Sequence, residues 1–210
     1  MRSTILIILS ALLFLAGSAA ADYVKLQPDP STGKDAFINI GDPDGNYGDN
    51  VNLCVASPAN SAGCTFIALD NYFGNTCDDA YLWFYVETPA DQDDTGLLMG
   101  AVDGDWQETT IIWNNMPGVH DSESISYPTQ GYNWWGINVQ PIVEDWLNGT
   151  YDNDGFCFFD NSGPGTEGAQ VYSSDLSNDP DLRPCLKLYY SPGTEVEESS
   201  WGSIKTSETH

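Results

Sequence analysis

Short apolar runs, each closed off by turn-forming residues, constrain what this chain can fold into more than any other feature. They fall at 23–27, 35–40, 51–56, 64–69, 80–87, 96–102, 109–113, 133–139, 155–160, 169–174 and 185–190. Between them lie Pro28-Asp29-Pro30, Asp42-Pro43-Asp44-Gly45-Asn46, Asn114-Asn115-Met116-Pro117-Gly118 and Asn161-Ser162-Gly163-Pro164-Gly165. Gly and Pro supply the left-handed and fixed backbone angles of tight turns, so these stretches read as breaks between strands. The pattern predicts an all-β sandwich or barrel. The run Tyr81-Leu82-Trp83-Phe84-Tyr85-Val86 shows the two-residue period of a strand. Leu82, Phe84 and Val86 take one face, and Tyr81, Trp83 and Tyr85 the other. One segment departs from this period. Pro141 to Gly149 places Ile142, Val143, Trp146 and Leu147 on one side of a short helix, with Pro141 in its first turn and Gly149 at its stop. It reads as a structural lid on the end of the sandwich.

The first residues stand apart from that pattern. Met1-Arg2 gives a positive start, Ile5 to Leu15 is an almost unbroken apolar run, and Ser18-Ala19-Ala20-Ala21 offers small residues for cleavage. This is the form of a secretory signal peptide over residues 1–21. The run is shorter than the roughly 20 apolar residues a membrane-spanning helix needs. The predicted domain is then residues 22–191, with 192–210 a polar tail. The expected location is extracellular or at the cell surface, with no membrane insertion.

Export permits disulfides. Of Cys54, Cys64, Cys77, Cys157 and Cys185, one must stay unpaired or join another chain. Cys54 and Cys64 are near enough in sequence to staple neighbouring strands, and Cys157 and Cys185 both sit in strand-like runs. The connectivity stays open. Zinc is disfavoured, because no Cys-x-x-Cys occurs and His120, read as a loop residue, is the sole histidine before the C-terminus.

Charge excludes some partners. There are 31 Asp and Glu against 6 Lys and Arg, a formal net charge of −25. A nucleic-acid backbone is held by clustered Lys and Arg, so nucleic acid is not an expected partner. The alternating Asp42, Asp44, Asn46 and Asp49 place oxygen ligands on a turn as calcium needs. They depart from the EF-hand loop, having Tyr47 at its glycine position and Leu53 at its glutamate position. Calcium and a solvated acidic loop both remain open. Carboxylate pairs that could hydrolyse a glycosidic bond arise by chance among so many acids. No Gly-x-Ser-x-Gly elbow or phosphate-binding loop is present. The outward Tyr81, Trp83 and Tyr85 have two readings. Flat rings in a row can stack on sugar rings, or the face can be buried under a loop or a second sheet. Trp134-Trp135 puts one ring on each face of its strand, and Trp106 and Trp113 read as packing residues.

The ordered motifs also resemble a known family. Leu26-Gln27-Pro28, Lys34-Asp35-Ala36-Phe37-Ile38 and Asn46-Tyr47-Gly48 are similar to the start of a DNRLRE domain. Trp106-x-Glu108-x-Thr110-Ile111-Ile112-Trp113-Asn114-Asn115-x-Pro117 resembles its most specific block, and Tyr172-Ser173-Ser174 and Arg183-Pro184-x-Leu186 its last third. This family overlaps carbohydrate-binding module family 96 and the disaggregatase-related proteins. The resemblance implies a jelly-roll β-sandwich of two antiparallel sheets in secreted microbial proteins that bind polysaccharide, some of them alginate. It carries over Lys34 and Arg183 as ligand-binding positions. The basic residue usual near the fourth strand is absent from Cys64-Thr65-Phe66-Ile67-Ala68-Leu69-Asp70. A neutral glycan, or an anionic one bridged by calcium, suits the charge.

The expectation is thus a secreted, non-catalytic module that binds polysaccharide through Tyr81, Trp83, Tyr85, Lys34 and Arg183. The alternatives are a surface protein that self-associates and, third, a polysaccharide lyase or hydrolase.

Overall fold

The computed structural model describes residues 21–55, 61–67, 69, 71–90, 97–126, 128, 130–160 and 168–193. The segments read as signal peptide and polar tail lie almost wholly outside the described residues. Alternation along one long strand sets the architecture. In β5 (Thr76–Thr88), buried Cys77, Ala80, Leu82, Phe84 and Val86 occupy the inner face, and partly buried Tyr81, Trp83 and Tyr85 the outer one.

One sheet holds β1 (Asp22–Leu26), β11 (Cys185–Ser191), β5, β10 (Ala169–Tyr172) and β3 (Asn52–Val55) in that order of pairing, and β8 (Asn133–Asn138) also pairs with β5. We call it sheet A. Sheet B runs β2 (Lys34–Asn39), β4 (Ser61–Phe66), β9 (Phe156–Asp160), β6 (Leu97–Asp103) and β7 (Gly118–Ile125). All pairings are antiparallel. The chain pairs β6 with β7, β5 with β8, β4 with β9 and β3 with β10, as nested rungs that alternate between the sheets. A long hairpin rolled up in this way is a jelly roll, which agrees with the expected two-sheet β-sandwich.

The main core lies between the sheets and includes Leu82, Phe84, Leu97, Met99, Phe156, Phe158, Val171, Leu186 and Leu188. Each such side chain contributes about 1.5–3 kcal/mol on full burial. Helix α1 (Gln140–Leu147) closes one end as expected, burying Ile142, Val143, Trp146 and Leu147. Trp146 stacks edge-on to Phe156 at 4.6 Å between centroids. Gly149 ends the helix at φ +72, a left-handed angle that glycine adopts without strain.

A second, smaller core lies on the outer face of sheet B. There Ala36, Ile38, Val102 and Cys157 are covered by Trp106 and Ile111. Ile111 belongs to a segment expected as a strand at 109–113. It instead forms a turn and a 3-10 turn at Trp113–Asn115, because it caps a sheet face and pairs with no neighbouring strand. His120, expected in a loop, lies on β7.

The structure does not show the expected disulfides. No disulfide occurs among the described residues, and Cys77 and Cys185 carry free, buried thiols. Cys185 shares the outer face of sheet A with Trp83, its register partner, whereas Cys157 faces the outer core of sheet B. The full thickness of the sandwich separates them, beyond the reach of an S–S bond. Cys54 and Cys64 likewise lie on different sheets, on β3 and β4.

Candidate functional site

The outer face of sheet A carries aromatic rings where solvent-facing polar residues would be usual. The cause is period-two placement on four neighbouring strands. Tyr23 and Lys25 come from β1, Lys187 and Tyr189 from β11, Tyr81, Trp83 and Tyr85 from β5, and Trp134 from β8. The register sets Lys25 beside Lys187, Lys187 beside Tyr81, Trp83 beside Gly136, and Tyr85 beside Trp134. Tyr81, Trp83 and Tyr85 are themselves partly buried, while Tyr23 is 52%, Tyr189 37% and Trp134 36% exposed on the same face.

Each ring has a different role. Trp83 lies flat on the backbone of Gly136, where an added Cβ would come within 2.8 Å of its ring carbons. The Lys187 ammonium stands 4.5 Å from the Trp83 ring centroid, a cation–π contact. Tyr85 is held as a support. Its hydroxyl donates to the Tyr132 carbonyl at 2.9 Å, its ring stacks on Tyr172 at 5.9 Å, and Trp134 meets it edge-on at 5.5 Å. Tyr23 and Tyr189 pair at 4.9 Å. Between these groups runs an open groove of about 420 Å³ lined by Tyr23, Lys25, Trp83, Trp134, Cys185 and Lys187. Trp83, resting on the sheet backbone, forms its floor. Burial pushes the Cys185 thiol pKa up, while Lys25 and Lys187 pull it down.

The structure places Tyr81, Trp83 and Tyr85 on one face with Lys25 and Lys187, while Lys34 and Arg183 lie elsewhere in the fold. Lys34 starts β2 in sheet B. Its ammonium donates to the Trp106 carbonyl at 2.9 Å, pairs with Asp105 at 3.3 Å and lies over the Trp106 ring. Arg183 Nε donates to the Leu176 carbonyl at 2.8 Å, and its own carbonyl accepts from Gln27. The signal for Lys25 and Lys187 was present in the sequence, as Tyr-x-Lys in β1 and Lys-x-Tyr in β11. Trp134 was equally legible, since Trp135 turns inward onto Phe84 and Phe158.

In the turn expected for calcium, one oxygen each of Asp42 and Asp44 has a partner within the protein. Asp42 Oδ2 accepts from the Tyr47 hydroxyl, Asp44 Oδ1 accepts from Asn114, and Asn46 donates its amide to the carbonyls of Glu108 and Ile111. Asp49 falls instead near Glu108 and Asp175. Among the described residues, no group of three or more His, Cys, Asp and Glu side chains is arranged to hold a metal.

A second cleft of about 450 Å³ is acidic, lined by Asp103, Asp105, Asp152 and Asp154 with His120. His120 Nε2 contacts Asp103 at 3.1 Å, and its ring stacks on Tyr151.

A jelly roll with an open, aromatic groove on one sheet face defines a class of protein that can grip a flat-faced, polyhydroxylated ligand without reacting with it. The chain belongs to carbohydrate-binding module family 96, whose sequence profile matches residues 28–184. Carbohydrate binding is the property that family carries, and its members are generally non-catalytic. No curated protein matches the chain.

Proposed function

We propose that this is a secreted, non-catalytic module that holds an extracellular polysaccharide in the groove on the outer face of sheet A. One observation carries the reading. Of the six Lys and Arg in a chain of net charge −25, Lys25 and Lys187 both stand in the groove that also gathers Trp83, Trp134 and Tyr23. Rings stack on the apolar faces of sugars, and Lys25, which donates to Gln27 Oε1 at 2.9 Å, sits in a polar row able to read hydroxyl or acidic groups. The two ammonium groups favour a glycan bearing carboxylate or sulfate over a neutral one. The leader-like residues 1–21 support export.

The test is retention of the purified chain on a panel of neutral and acidic polysaccharides. The expected result is selective retention on acidic polymers that weakens as salt screens the lysines, with no new reducing ends or unsaturated uronate. Indifference to every polymer would overturn the reading and favour a self-associating surface protein.

A further inference from the structure

Several buried oxygens without hydrogen-bond partners gather at one junction that contributes nothing to the lining of the aromatic groove. They are Asp35 Oδ1, Thr65 Oγ1, Ser174 Oγ and Asp175 Oδ2. Asp35, Thr65 and Ser174 are each at most 1% exposed. In native proteins such atoms are rare and call for an explanation, commonly a bound ion or water.

The sequence brings these groups together through four elements. Asp35 on β2 has its side chain on the opposite face of the strand from Ala36 and Ile38, and so between the sheets. Thr65 on β4 is its register partner. From the turn after β10, the Ser174 N–H donates to Asp35 Oδ2 at 2.7 Å. From the segment after β6, Glu108 Oε1 accepts from the Asp35 N–H at 2.6 Å. Gly48 packs directly on the Glu108 backbone, with no room for a Cβ. The Ser174 and Thr65 hydroxyls lie near enough to Asp35 to lower its pKa, although burial raises it more. Neither hydroxyl has a partner at full hydrogen-bond geometry.

The charge of the junction is one-sided. Asp35, Asp49, Glu108 and Asp175 act on one another, and Arg183 is the cation that offsets Asp175. Arg183 commits its Nε to the Leu176 carbonyl. A water molecule would satisfy oxygens there but would leave the repulsion in place. A hard cation does both, because calcium binds six to eight oxygens, mixing carboxylates with neutral donors. Two carboxylates plus hydroxyls form such a shell without requiring three acidic ligands at one point.

We propose that the junction between the two sheets binds one calcium ion through the Asp35 and Asp175 carboxylates and the Ser174 and Thr65 hydroxyls. Glu108 and Asp49 supply further negative field around the ion. The ion would tie β2 of sheet B to the turn that follows β10 of sheet A, and so act on stability rather than on glycan contact.

The test is calcium titration of the full-length, chelator-stripped chain, followed by calorimetry and by thermal melting. The expected result is one calcium per chain and a rise in Tm of about 5 °C at saturation. Ser174→Ala and Asp175→Asn each weaken calcium binding at least about tenfold, while Asp42→Asn leaves it unchanged. Ser174→Ala removes only a hydroxyl, so it keeps the test open where Asp35→Asn fails to fold. No calcium-dependent heat or melting shift in the unaltered chain would overturn the proposal. So would binding that survives Ser174→Ala and Asp175→Asn but is lost in Asp42→Asn.

Discussion

Trp83 and Gly136 show how a single position shapes the groove. Because the indole rests on bare backbone, any side chain at 136 must lift it or push it aside. Gly136→Ala is expected to cost about 1–3 kcal/mol, the usual range for overpacking, measured by denaturant unfolding. It should also weaken glycan retention, since Trp83 forms the groove floor. The two free thiols give another residue-scale prediction. Cys77 is pushed up to about 12, chiefly by burial and then by Glu144, Asp78 and Asp79. Burial raises Cys185 as well. Thiolate is the reactive form, so both should react slowly with a thiol reagent in the native chain and rapidly after unfolding. Fast native labelling would show that the groove side or the β5 edge opens.

At the scale of elements, α1 is the clearest case of an element written into the sequence. Its apolar spacing, its early proline and its terminal glycine all agree, and the helix forms where they place it. Trp146→Ala is expected to cost about 3–5 kcal/mol, because the ring is fully buried, and calorimetric melting checks it. Most strands were equally legible, since their faces alternate or their runs are uniformly apolar. The failures have a physical pattern. Residues 109–113 carry strand-forming side chains, but Ile111 is buried and Trp113 packs in a cap over sheet B, so local preference yields to packing. Strand β7 has polar residues through its middle and lies at a sheet edge, where little of it needs to be apolar. The candidate site was legible to the extent that it follows period two along one strand. Tyr81, Trp83 and Tyr85 could be read in that way. Which lysines join them depends on strand order, which places β11 and β1 beside β5 although they stand at opposite ends of the chain. Family positions pointed to Lys34 and Arg183, which the fold employs in contacts with the Trp106 and Leu176 carbonyls.

For the whole molecule, the two faces of the sandwich divide the work. Among the described residues, part of the outer face of sheet B is covered by its own loop and small core, while sheet A exposes Tyr23, Trp134 and Tyr189 on its outer face. The acid junction between the sheets predicts how stability depends on pH in chelator. Glu108 is raised to about 7, first by burial and then by Asp175, Asp35 and Asp49, against an ordinary value of 4.5. The folded chain therefore holds this proton more tightly than the unfolded one. Stability should fall as pH rises from about 4.5 to 7 and then level off with respect to this group. Glu108→Gln should flatten that slope in thermal melts taken across the window, and an unchanged slope would assign it to other acids.

The central claim, that the groove on sheet A is the carbohydrate site, is tested most directly by binding isotherms on a retained polysaccharide for three proteins. These are the unaltered chain, Trp134→Ala and Lys34→Ala, each shown by melting to be folded. Trp134 is exposed, so its loss leaves the core intact. The account predicts that Trp134→Ala weakens binding at least about tenfold, about 1.4 kcal/mol, while Lys34→Ala binds as the unaltered chain does. Unchanged affinity in Trp134→Ala together with loss in Lys34→Ala would contradict it and move the site to sheet B.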